Sequence, residues 1–231
     1  MGGYGIYIVI TLVFSGIGAL VSNRLKSKFK QYSQVPMTNN MSGAEVAQRM
    51  LDAHNLQDVK IVQGRGFLSD HYNPLKKTIS LSPDVYAGRS VAAAAVAAHE
   101  CGHAVQHAES YVWLTLRSAI VPVVNLAAKA QGFLIYFALG GLATSLGSTV
   151  LLITLAAFAI TAAFSLITLP VEFDASNRAL AWLERSNIAT GRQQEGAKDA
   201  LWWAAMTYVV QALASLATLF YVLMIFLNSR R

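Results

Sequence analysis

The chain has 231 residues, 55% hydrophobic and only 13% charged, with a net charge of +6 and one cysteine. A soluble domain carries about 25% charged residues, so the composition describes a membrane protein with a modest water-facing part. The positive charge does not indicate a nucleic-acid partner, because the basic residues gather beside apolar stretches, as membrane topology requires; and the single Cys101 excludes an internal disulfide.

Residues 4–21 are uncharged and almost wholly apolar, just long enough to span a bilayer. A cleaved signal peptide would carry positive charge in front of its apolar core. Here the charge follows, at Arg24, Lys26, Lys28 and Lys30. The positive-inside rule then puts the N-terminus outside and Arg24 onward in the cytoplasm.

Residues 31–109 form the predicted water-facing segment, with mixed helix and strand. Ser42 and Glu45 make a capping box that opens a helix reaching to about His54. Two β-leaning runs follow, 58–63 and 77–82, the second alternating as a half-exposed strand does. Between them, residues 70–74 (DHYNP) read as a turn. Ser82-Pro83-Asp84 reads as N-cap, N1 and N2 of a short helix stopping near Gly88.

The chemistry sits in residues 90–109. Ser90 is a predicted N-cap, Ala92 to Ala98 are nearly all alanine, and His99-Glu100-Cys101-Gly102-His103 makes an H-E-x-x-H pattern. On a helix, residues four apart share a face with Cβ atoms about 5–6 Å apart. His99 and His103 can therefore direct both imidazoles at one Zn2+. Glu100, about 100° around the helix, flanks that position and can take a proton from a zinc-activated water. The implied reaction is peptide hydrolysis. His107 continues the same face one turn on; it is a candidate third ligand, with a supporting role favoured because another turn lifts it past the metal. The longer metzincin spacing is absent. His71 and Tyr72 are either oxyanion donors or ordinary loop residues. Cys101 reads as a small packed residue.

Residues 130–170 carry no charge and are too long for one span of about 20 residues. They are predicted to form a membrane hairpin turning near residues 145–148. Residues 111–128, with Arg117 and Pro122, read as an interfacial helix or the lower part of the first hairpin span. Pro170 is expected to reset the helix, so that Glu172 opens a new polar helix, within a predicted cytoplasmic segment 171–200. An even number of crossings returns Glu172 to the side of His103. Catalytic zinc usually has three protein ligands and an open place, which makes Glu172 the natural third ligand. Gly191 is a predicted break, and residues 202–227 are the last predicted span.

The run HECGH, an apolar hairpin and then LPVEFDASNRAL resembles the YugP-like neutral zinc metallopeptidases of bacteria. The chain is more distantly similar to the HtpX and CAAX prenyl endopeptidases. The first resemblance covers most of the chain, including SPDVY at residues 82–86 and the final span. It implies a gluzincin-type peptidase with one Zn2+ per chain, held by His99, His103 and Glu172, with Glu100 as catalytic base. One departure matters. The distant relatives have an Asp four residues after the ligand Glu, bracing a zinc-binding His; here that position is Ser176, and Asp174 faces elsewhere, which leaves the brace unassigned. Arg178 either stabilises an oxyanion or pairs with a lipid phosphate.

The expected molecule is thus mainly α and membrane-bound, with about four transmembrane helices and a small α+β zincin-like domain. The expected activity is that of a zinc endopeptidase in a multi-pass bacterial membrane protein, its site facing the cytoplasm. Its partners would be the bilayer and membrane-associated protein or peptide substrates, one added as a strand along an exposed 77–82 edge. A catalytically silent adaptor is the alternative. A metal or proton carrier is disfavoured, because the clear spans lack ionisable groups.

Overall fold

The structure is a computed structural model that describes residues 3–140 and 147–229. It is mainly helical, in the order α1 (Gly3–Ser33), α2 (Gly43–Ala53), β1 (Lys60–Gln63), β2 (His71–Asn73), β3 (Thr78–Leu81), α3 (Pro83–Tyr86), α4 (Val91–Ala108), α5 (Val112–Gly140), α6 (Gly147–Arg185) and α7 (Arg192–Asn228). Among the described residues, four stretches are long and apolar enough to cross a membrane: Gly5–Ser33, Val112–Phe137, Gly147–Arg185 and Arg192–Asn228. The chain is a mainly α membrane protein with a small α+β part.

The chain divides into two compact units. One comprises residues 1–20, 116–169 and 207–231; the other comprises 21–115 and 170–206. The first gathers Ile135, Leu151, Phe158, Tyr221, Val222 and Phe226 into an apolar cluster. Polar side chains there are satisfied between helices: the Gln131 amide donates to the Ala157 carbonyl and to Thr161, and Ser165 bonds Ser215. This is how helices associate where lipid removes the hydrophobic drive between them.

The second unit is built around α4. The Ser90 hydroxyl caps α4 by accepting from the Ala93 amide. The Ser42–Glu45 capping box fixes the start of α2, with both reciprocal bonds present. The alanines of α4 let neighbouring backbones close in: a Cβ on Gly43 of α2 would lie 3.1 Å from the Ala93 carbonyl oxygen. Cys101 is buried in this contact and its thiol donates to the Ala47 carbonyl at 3.5 Å. Gly102 does the same on the other side of α4. A Cβ there would lie 2.6 Å from the Ala175 carbonyl oxygen of α6.

The sheet differs from expectation in two places. Residues 71–73 are not a turn but strand β2, antiparallel to β3, with Tyr72 opposite Ile79. The turn falls later, at residues 73–77, where the Asn73 side chain accepts from the Lys76 amide and Lys77 takes φ 47°. The run 77–82 is not an edge. The strand order is β1-β3-β2, and β3 is paired on one side with β1 in parallel and on the other with β2. Its alternation survives, with Ile79 and Leu81 buried.

Pro170 does not restart the helix. It lies inside α6, which runs unbroken from Gly147 to Arg185. A proline there removes one backbone bond at a cost of roughly 3 kcal/mol, and the burial of Thr168, Val171 and Ala175 on either side offsets it. Likewise α1 continues past its apolar stretch to Ser33, and residues 112–128 belong to α5. Of the predicted hairpin turn at 145–148, residues 145 and 146 lie outside the described residues, while Gly147 and Ser148 begin α6. Gly191, with φ +53°, separates α6 from α7.

Substituting Gly102→Ala forces α4 and α6 apart or strains both. The expected result is a loss of about 1–3 kcal/mol, read as a lower unfolding midpoint of the detergent-purified protein.

Candidate metal centre

The chain leaves the second unit after Thr115 and re-enters it at Pro170. This return brings α6 alongside α4, with the Gly102–Ala175 approach setting their spacing. Three donors converge there. The Nε2 atoms of His99 and His103 lie 3.4 and 3.6 Å from the Glu172 Oε2. One ligand atom from each of the three residues falls within 4.8 Å of the others. The imidazoles meet edge to face, with centroids 4.7 Å apart. Glu172 is buried, and the His99 and His103 side chains are only slightly exposed, at 13% and 11%.

Those separations distinguish two kinds of site. A hydrogen bond between an imidazole N–H and a carboxylate would be about 2.7–2.9 Å long. Ligand atoms each about 2.0–2.2 Å from one tetrahedral zinc ion must stand further apart, along the edges of the tetrahedron. The 3.4 and 3.6 Å spacings suit such edges. Two imidazoles and a carboxylate are also the donor chemistry that zinc accepts. The residues fit the ion.

The orientation of His103 is fixed from behind. Its Nδ1 bonds the Gln106 Oε1 at 3.0 Å. Gln106 is fully buried, and its amide nitrogen donates to the Val171 carbonyl at 2.8 Å and to Asp174 Oδ2 at 2.7 Å. With both amide protons directed at acceptors, the Gln106 oxygen must face His103. The network therefore assigns the proton to Nδ1 and leaves the Nε2 lone pair directed at Glu172. The chain continues outward. Arg178 donates to Asp174 at 2.5 Å and to Glu109 at 2.6 Å, and lies 5.7 Å over the Tyr111 ring. Arg178 is thus held among protein groups that support His103.

His99 has its own support. Its Nδ1 lies 3.1 Å from the Ser176 hydroxyl. Ser176 stands four residues after Glu172, where the distant relatives carry an Asp, so the brace expected of that position is supplied by a neutral hydroxyl. Gln106 was not anticipated from sequence. Its signal was available: it lies three residues after His103 on the same helix face.

The other candidates stand outside the convergence. His107 is exposed, and its Nδ1 bonds the Tyr72 hydroxyl at 2.8 Å, tying β2 to α4. His71 is exposed and bonds the Ser69 carbonyl of its own loop at 2.9 Å. Burial raises the Tyr72 phenol above its ordinary range, so it stays protonated. Glu100 is buried; burial pushes its carboxyl up, while the charge of His99 and His103 pulls it down. For His103, burial disfavours the charged ring, yet the negative charge of the nearby Glu172 outweighs it and raises the imidazole.

Helices apolar enough to cross a membrane, and a His–His–carboxylate cluster that could hold a metal ion, are the two features expected of a membrane metallopeptidase. A sequence model of the family described as "Putative neutral zinc metallopeptidase" matches residues 7–227, and the chain belongs to that family. It is 42% identical to the "Putative membrane protease YugP" of Bacillus subtilis (strain 168), across 97% of this chain and 98% of that protein. No solved structure matches.

Replacing Gln106 with Met keeps the volume but strips His103 of its partner. Metal affinity, measured by chelator competition on the purified protein, is expected to fall about 10–100-fold.

Proposed function

We propose that the chain is a zinc-dependent endopeptidase of the bacterial membrane that cuts membrane-associated proteins or peptides, with its site facing the cytoplasm. The observation that carries this reading is the convergence of His99, His103 and Glu172 with Glu100 next to His99 on the same helix. His99, His103 and Glu172 would hold one zinc ion. When bound, zinc supplies Lewis acidity toward water and the scissile carbonyl. Glu100 takes a proton from the attacking water and delivers it to the leaving amine as the C–N bond breaks. Gln106 and Ser176 hold the two imidazoles in register for this work. The cytoplasmic placement rests on the basic residues that follow the first apolar stretch.

The substrate strand would add not to residues 77–82, which lie in the middle of the sheet, but to β2. Among the described residues, β2 is paired on one side only, and Tyr72 ties it to the motif helix through His107. An extended peptide along that edge would gain backbone hydrogen bonds without demanding a particular sequence.

A catalytically silent adaptor would keep the three donors and dispense with the base. Glu100→Gln separates the two readings. The variant should retain its metal and lose cleavage by about 10²-fold or more, assayed on casein or a membrane-derived peptide. Cleavage at the wild-type rate would remove Glu100 from the mechanism. Absence of cleavage by zinc-loaded wild type would favour the adaptor.

A further inference from the structure

Four basic residues follow the first apolar stretch along α1, and the structure divides them into two pairs. Arg24 stacks over the Trp203 ring at 5.6 Å, and Lys28 pairs with Asp199 at 2.7 Å. Both are engaged with α7. Lys26 and Lys30 lie on a different face of α1. They line a cavity of about 720 Å3 whose far wall is formed by Pro83 to Ser90. Among the described residues neither has a carboxylate within 4.0 Å, and both are exposed. Arg89 in the same lining is already held by Glu45 at 3.0 Å. Asp84 is the one carboxylate in the lining.

Two like charges four residues apart on a helix repel, so this wall of the cavity is suited to an anion. The rest of the lining narrows its chemistry. Phe29, buried between the two lysines in sequence, meets Phe67 edge to face at 5.4 Å. Phe67 is 53% exposed on the loop between β1 and β2. A basic pair beside an exposed aromatic suits the phosphate and glycerol of a lipid headgroup better than a free ion, since aromatic rings favour the headgroup level. Lys26 comes five residues after residue 21, about 7–8 Å further along the same helix at 1.5 Å per residue. That places it within the headgroup layer, which adds about 5–8 Å on each side of the hydrocarbon core. Basic residues in this position attract anionic lipid.

We propose that this cavity is a second binding site, separate from the metal centre, that takes the phosphate headgroup of an anionic phospholipid on Lys26 and Lys30, with the headgroup glycerol against Phe67. The inference does not depend on the peptidase reading. The test is native mass spectrometry of the full chain in a neutral detergent, titrated with phosphatidylglycerol and, separately, phosphatidylcholine. Wild type should retain one phosphatidylglycerol more tightly than phosphatidylcholine. The Lys26→Gln/Lys30→Gln variant should bind it about tenfold more weakly or worse, and Lys26→Arg/Lys30→Arg should restore it. Lys60→Gln/Lys76→Gln, an equal loss of exposed charge elsewhere, should leave it unchanged. Equal weakening by the control pair, or no weakening by the cavity pair, overturns the proposal. Millimolar inorganic phosphate should not displace the lipid. If phosphate alone displaces it and raises the unfolding midpoint through the same lysines, the site belongs to a soluble phosphate and the lipid assignment is overturned.

Discussion

Everything in the candidate centre depends on how closely two helix backbones approach at Gly102 and Ala175. Glutamate has a short reach. For Glu172 to bring an oxygen within 3.4 Å of His99 and 3.6 Å of His103, α6 must run almost against α4. A Cβ at Gly102 would stand 2.6 Å from a backbone oxygen that has no freedom to move aside. Glycine in the second variable position of the motif is therefore a packing requirement, and its cost to helix propensity of about 1 kcal/mol is offset by the contact. The alanines before the motif serve the opposite flank. They allow α2 to close on α4, so that the motif helix is gripped from two sides by backbones rather than by flexible side chains.

The grip is completed by a polar chain that runs from the centre to the surface: His103, Gln106, Asp174, Arg178 and Glu109. Its inner end is buried and its outer end is exposed, so the stakes fall along its length. At Gln106 every donor and acceptor must be matched, because an unmet buried polar group costs about 1–3 kcal/mol. At Glu109 the ion pair is worth little, since exposed pairs contribute about 0–1 kcal/mol. The chain works as a positioner: it locks one tautomer and one ring orientation. A neutral amide is well suited to this at His103, because it accepts the Nδ1 proton without adding a further carboxylate beside Glu172.

The parts of the molecule governed by local chemistry were legible in the sequence. The capping box at Ser42, the N-cap at Ser90, the alternation of residues 78–81 and the helical spacing of His99 and His103 each follow from residues within one or two turns. The convergence of Glu172 was legible for a different reason, since counting membrane crossings limits which segments can meet. What escaped was set by long-range pairing. Residues 71–73 carry turn-forming neighbours, and only β3 makes them a strand. The place of residues 77–82 in the middle of the sheet is a property of strand order, which no single segment encodes. Pro170 announces a break that packing on both sides overrides. Ser176 and Gln106 lay in plain view at helical spacings from Glu172 and His103, but their use as braces becomes visible only once α4 and α6 face each other.

The electrostatics of the centre lead back to its donor set. Glu100 and Glu172 are two buried carboxylates in one small volume, each with an imidazole for company. Burial raises Glu100, the neighbouring carboxylate raises it further, and only the two imidazoles act in the other direction. With the Nε2 lone pair of His103 free, as the proton assigned to its Nδ1 leaves it, that compensation weakens and negative charge predominates in the pocket. A divalent cation held by His99, His103 and Glu172 would reverse the local balance. It would give the buried Glu172 a counter-charge and would favour Glu100 as a carboxylate. The buried carboxylates, and the neutral amide and hydroxyl behind the rings, are therefore a donor set suited to a cation.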